Sequence, residues 1–404
     1  MIILNQDFKT IQLAVYTTQE DEITWRSYRR VLPYLLVNQT EKIKTKREMS
    51  EYLENLYEAY FSVQSEVIGN LYITSIILTC IHPNFVDDPT YFDQIVNLFK
   101  AVVNPKHNLS ASIFEEEKRN LIERWQTLKE NKQAYGFQNF SQHFYVESEN
   151  KISVGGRLSD VKKMSYDSLN QVIDAFNDSP RSYVFNGRFS QELITELNST
   201  FTESNSNNVK PTLVVKRKSR TKTHIDRLEM NQALLYLGYR LPILRTDELN
   251  DAAILFNTIL GGYANSRLFR IIREEMGLCY AINSIYNNMQ GSIVIYAGVN
   301  QKERDKSIAA IRGVVHHLVT AGITEEELNE AKENQIHSLK SSFDMQSFQT
   351  KRAFSSALFP PVLTLEKRID KINSVTKKDL EVVANALEFE TLYVLQGETD
   401  EDNL

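Results

Sequence analysis

"LGGYANSRLFRIIREEMGLCYAIN", Leu260 to Asn283, decides how this chain is read. Gly261-Gly262 closes a helical run and leads into another, because glycine tolerates the backbone at a helix C-terminus. The pair lacks the spacing of a phosphate-binding loop. "REEMGLCY" is a junction from helix to strand, with Gly277 permitting the turn between Arg273 and Tyr280. On residue chemistry alone the pair has two readings. One is a core tyrosine beside an arginine that salt-bridges Glu274, Glu275 or another acid. The other is a pair of hydrogen-bond donors aimed at a common target.

Outward from this stretch, the strand pair "LCYAINSIYN" and "GSIVIYAGVN" is followed by a helix, Arg304 to Val319, and then by "TAGITEEELNEAKENQIHSL". There Thr324 with Glu327 three residues on is a capping box at the head of a long helix. The first half repeats this order. "EAYFSVQSEV" and "NLYITSIILTCI" form the strand pair, Tyr91 to Val102 the helix, and "SASIFEEEKRNLIERWQTL" the long helix. Each half opens on a strand, "FKTIQLAVYT" and "EMNQALLYLGYRL", where apolar residues alternate at least in part. The repeat of strand, helices, hairpin and two helices predicts two homologous α+β domains. The Ser-, Asn- and Thr-rich stretch Asn198 to Thr223 reads as the connection between them.

Composition bounds the function. The chain has 404 residues, 42% hydrophobic and 24% charged, with a net charge of -6. That suits a soluble globular protein and argues against nucleic acid as the main partner, since phosphate binding needs a basic face. The basic runs 42–47 and 216–222 read as a solvated turn and a solvated linker. "MIILNQDFKT" does not read as a signal peptide, and no apolar run reaches the ~18 residues of a membrane span. Two cysteines, Cys80 and Cys279, make no disulfide framework. They read as buried small residues in a reducing, cytoplasmic setting.

The residues from Gly261 to Tyr280 resemble the M16 (pitrilysin, or insulinase) metallopeptidase family. In its C-terminal half that family carries a glycine-rich loop, then Ser-Arg-Leu-Phe, then an Arg with a Tyr seven residues on. Here these are Gly261, Gly262, Ser266, Arg267, Leu268, Phe269, Arg273 and Tyr280. The resemblance implies two domains, each an antiparallel-rich sheet packed with helices, together forming half of a chamber. Residues 1–200 would be the N-terminal-like domain, 201–223 the linker, and 224–404 the C-terminal-like domain.

Catalytic members carry His-x-x-Glu-His on the helix before a Thr-Glu-Lys turn. In "RRVLPYLLVNQTEK" the matching positions hold Arg30, Pro33 and Tyr34. A guanidinium offers no lone pair to a metal. Proline cannot replace the glutamate base, and tyrosine is a poor substitute for a histidine ligand. The third ligand, at the end of Glu-x6-Glu, would start at Glu117 and fall on Arg124. Glu123 is one residue short and ~100° away around the helix. The seven histidines suggest no replacement site. His316 and His317 are adjacent, and His82, His107, His143, His224 and His337 lack an i, i+4 partner. No zinc is expected in this chain. Acids such as Glu117 or Glu123 are expected to neutralise Arg30 and Arg124, or one arginine to face solvent.

By the same resemblance Arg273 and Tyr280 would assist the zinc site of a partner, and Gly261 and Gly262 would contact substrate. The implied role is that of a zinc-free subunit beside a His-x-x-Glu-His sister that carries the zinc, with a peptide as substrate. The alternative is a peptide-binding or scaffold protein with no hydrolytic role.

Overall fold

The computed structural model describes residues 1–201, 209–216 and 221–398. Two mixed five-stranded sheets carry the fold, each packed with helices. The first contains β1 (Ile2–Asn5), β2 (Thr10–Glu20), β3 (Tyr60–Ile68), β4 (Leu71–Ile81) and β5 (Arg181–Gly187), in the order β1-β5-β2-β4-β3. The second contains β6 (Lys222–Arg227), β7 (Gln232–Arg240), β8 (Cys279–Asn287), β9 (Ser292–Asn300) and β10 (Glu388–Gln396), in the order β6-β10-β7-β9-β8. In each sheet the first pairing is parallel and the others are antiparallel. The shared order is the structural form of the repeat read from the sequence.

Central strands β2, β7 and β9 are buried along almost their whole length. Alternation is weak there because both faces of each sheet are covered. In the first unit one face packs Leu13, Val15 and Leu78 against Val31 and Leu35 of α1 (Arg26–Leu36). Further along the chain, beyond α2 (Lys46–Asn55), Ile95 and Phe99 of α3 (Tyr91–Val103) join the same core. In the second unit Leu235, Leu237, Ile293 and Ile295 pack with Phe256, Ile311 and Leu318.

The compact units do not follow one cut in the sequence. One comprises Met1–Thr127, Ile152–Thr212 and Ser342–Val362; the other comprises Leu128–Lys151, Leu213–Ser341 and Leu363–Leu404. The simple division at 200 and 224 is corrected accordingly. The cause is local packing. After α4 (Ala111–Gln126) comes α5 (Lys132–Phe144), whose Phe140 and Phe144 pack with Leu234, Tyr236, Tyr393 and Leu395 on the second sheet. Helix Gln346–Leu358 returns to the first sheet. There Phe354 stacks on Tyr16 at 4.0 Å, and Thr350 donates to Gln12 Oε1 at 2.7 Å. Of the segment read as a linker, residues 202–208 and 217–220 lie outside the described residues. Among the described residues, no helix is long and apolar enough to cross a membrane.

Candidate functional site

The turn between α1 and α2 ends at Thr45. Its hydroxyl accepts from the Glu48 N–H while the Glu48 carboxylate accepts from the Thr45 N–H, so a capping box starts α2. On α1, Val31, Leu32, Pro33, Leu35 and Leu36 are buried, and Arg30 and Tyr34 lie half-buried one turn apart. The Arg30 Cζ sits 5.2 Å from the Tyr34 ring centroid, and Arg124 of α4 sits 5.6 Å from the same centroid. Arg124 is otherwise exposed. Two guanidiniums and a phenol therefore occupy the positions matched to the metal motif. Among the described residues, no group of three or more His, Cys, Asp or Glu side chains could hold a metal ion.

Of the two expected arrangements, acid partners do not form among the described residues, and the second holds: Arg124 faces solvent. Glu117 is buried, and its carboxylate takes Lys46 Nζ at 2.5 Å, with Glu116 accepting from the same amine at 2.9 Å. Glu123 is exposed on a different face from Arg124, as the 100° step predicts. The exposure of Arg124 and its stacking on Tyr34, rather than an acid partner, are what accommodate the two cations.

The second constellation lies on the helix Leu268–Glu275 and β8. The helix has wide turns: Met276 N–H reaches back to Ile271 O at 3.0 Å and Leu278 N–H to Ile272 O at 3.0 Å. Gly277 then takes a left-handed φ of 61°, a backbone that favours glycine. Arg273 is exposed and stacks on Phe269 at 4.6 Å. Among the described residues it has no ion pair; the neighbouring pair is Arg270 with Glu275 at 3.8 Å. Tyr280 is 63% exposed. The reading as a core tyrosine beside a salt-bridged arginine therefore fails on both counts.

A β-bulge exposes Tyr280. Cys279 pairs with Val299 and Ala281 with Gly298, leaving Tyr280 as the extra residue on edge strand β8. On a regular strand Tyr280 would share a face with Ile282 and Ser284, both buried. The bulge releases it outward, the re-aiming that bulges commonly perform. Beside it, Cys279 is half-buried; burial raises its thiol pKa, and Arg273 pulls the other way.

Gly261 is buried where the preceding helix meets β8. A Cβ there would lie 2.7 Å from Ser284 Oγ and 2.8 Å from the Ser284 backbone nitrogen, so close packing accounts for this glycine. Gly262 is exposed, with Asn257 against its back. In the Ser-Arg-Leu-Phe segment, Arg267 clasps Glu327 through Nε at 2.6 Å and Nη2 at 2.7 Å, which makes it a structural tie.

Residues 137–335 match the family model described as Peptidase M16 inactive domain. The chain is similar to the "probable inactive metalloprotease YmfF" of Bacillus subtilis, 22% identical over 413 residues, covering 98% of this chain and 95% of that one. It is similar over 162 residues, at 29% identity, to the "uncharacterized zinc protease YmxG" of the same organism, covering 39% of each chain. The crystal structure of a conserved protein from Enterococcus faecalis shares its fold, with a TM-score of 0.86 at 22% identity, covering 98% of this chain and 96% of that one. The match to the family model places residues 137–335 in the M16 peptidase family. This M16 homologue holds Arg30, Pro33, Tyr34 and Arg124 where the resemblance places ligands and base, and Arg273 and Tyr280 where it places an assisting pair.

Two features of this M16 chain escaped sequence reading. Arg26 is fully buried, clamped on Asp21 and donating to Ile152 O and Ser153 O. His143 of α5 and His224 of β6 stack with ring centroids 3.8 Å apart. The two carbonyls that Arg26 meets, and the two stacked histidines, come from segments remote in sequence. The only available signal for Arg26 was an arginine amid apolar helix positions.

Proposed function

We propose that this chain is a zinc-free subunit of a two-chain M16 peptidase. It helps hold a peptide and presents Arg273 and Tyr280 to the zinc site of a partner bearing His-x-x-Glu-His. The observation that carries this reading is the bulge at Tyr280. An edge strand gains no packing from a tyrosine turned 63% into solvent, and Arg273, seven residues earlier, has no ion pair among the described residues. A phenol O–H and a guanidinium fork are donors suited to a carbonyl oxygen that becomes negative as its carbon turns tetrahedral. The similarity to a chain named as an inactive metalloprotease and to one named as a zinc protease supports the division of labour. A cytoplasmic setting belongs to the same proposal, supported by two cysteines that are both free.

The test is reconstitution with a zinc-bearing M16 sister from the same genome, followed by peptide digestion with and without chelator. Tyr280→Phe and Arg273→Lys in this chain are expected to lower turnover by ~10²–10³ and to leave assembly intact, as loss of one oxyanion donor does. Full turnover in both assembled variants would leave the peptide-binding scaffold as the better account.

A further inference from the structure

The N-terminal half of α1 carries Arg26, Arg29 and Arg30, and they are not alike. Arg26 is satisfied by Asp21 and two carbonyls. Arg29 donates to Glu20 O at 2.6 Å and faces Glu22 at 3.5 Å. Among the described residues, Arg30 has neither an ion pair nor a hydrogen-bond acceptor, and the same holds for Arg124 and for the hydroxyl of Tyr34. Both guanidiniums instead share the Tyr34 ring, at 5.2 and 5.6 Å. Glu117, on the same face of α4 as Arg124, is committed to Lys46.

Each guanidinium offers five N–H donors in a planar fork. Two such forks on one ring repel each other, and the quadrupole of the ring offsets only part of that. An oxyanion between them would accept paired hydrogen bonds and remove the repulsion. Because α4 also carries Glu116, Glu117 and Glu123, a singly charged carboxylate meets less repulsion there than a doubly charged phosphate.

We propose that Arg30, Tyr34 and Arg124 form an oxyanion site that takes a peptide carboxylate, either C-terminal or on an Asp or Glu side chain. The oxyanion site stands on its own geometry. The choice of a peptide as the carrier rests on the function proposed above.

The test follows the arginine Nε–Hε signals by NMR in the full chain alone, labelled with ¹⁵N-arginine. Arg30→Gln and Arg124→Gln assign the two resonances. The probes are N-acetyl-trialanine as free acid, the same peptide as C-terminal amide, and inorganic phosphate, at matched ionic strength. The acid is expected to shift both resonances saturably and to bind about tenfold or more tighter than the amide, as charged acceptors do over neutral ones. The double variant should lose that preference. Equal binding of acid and amide, or a preference unchanged in the double variant, would overturn the site. Shifts with phosphate but not with the acid peptide would overturn the carboxylate assignment. No partner or turnover is involved, so failure here leaves the reading of Arg273 and Tyr280 untouched.

Discussion

Arg26 and Arg124 show how differently one residue type behaves in this chain. Both lie on helices of the first unit, yet Arg26 and its partner Asp21 are fully buried at their side chains, whereas Arg124 is exposed over Tyr34. Arg26→Met would leave the Asp21 carboxylate without its cation in a dry site. Breaking a buried pair from one side typically costs about 3–5 kcal/mol. Arg124→Gln removes an exposed cation and should stay within about 0.5 kcal/mol. Denaturant unfolding of the two variants checks this, and similar midpoints would sink the distinction. Sequence alone could not separate these arginines, because composition and spacing are silent on which ones meet a carboxylate. The substitution of the metal motif was legible, since it depends only on residue type at aligned positions. The fate of Glu117 was not, because Lys46 comes to it from another helix.

The tie between the helix Leu268–Glu275 and the helix Glu325–Phe343 rests on Glu327. Its carboxylate accepts from Thr324 N–H at 2.9 Å and from both Arg267 nitrogens. Burial alone would raise its pKa, but the Arg267 and Thr324 donors outweigh that and hold it down, from 4.5 to about 2. A folded pKa below the unfolded one gives stability that is fully present above 4.5 and lost as pH falls toward about 2. Arg267→Gln should therefore destabilise the chain at neutral pH, and its deficit should shrink across that acid window. Thermal unfolding against pH for both proteins reads this out; a deficit that stays constant with pH would contradict it. At this scale the capping box and both hairpins were legible, because Thr-x-x-Glu and β-branched runs act locally. β1 was not, being four residues whose partner β5 lies far along the chain. The Tyr280 bulge was not either, since a period of two predicts that residue on the buried face.

The duplication was legible across the whole molecule, and both sheets bear it out with one strand order. The exchange of helices was hidden, because α5 and Gln346–Leu358 look like local continuations of the helices before them. Each exchanged helix meets a sheet face at close range. A Cβ on Gly136 would lie 2.6 Å from the Tyr236 hydroxyl, and one on Gly238 2.5 Å from Phe144 Cδ2. Gln346 Nε2 donates to Thr10 O and Asn186 O at 2.9 Å each, and Asn186 Nδ2 to Thr350 Oγ1 at 3.1 Å. Cutting the chain at 212/213 therefore gives fragments that each keep a sheet and lack the helix covering it. The C-terminal fragment would bare Leu234, Tyr236, Tyr393 and Leu395, and the N-terminal one Tyr16 and the polar row Gln12 and Asn186. Neither fragment should fold alone, whereas the two produced together should recover the native fold, because every missing contact is then restored. Phe144→Ala in the intact chain isolates one side of the exchange and should cost about 3–5 kcal/mol. A cooperative unfolding transition in fragment 213–404 alone would refute this account. The second sheet would then be stable without α5, and the two halves would be autonomous domains after all.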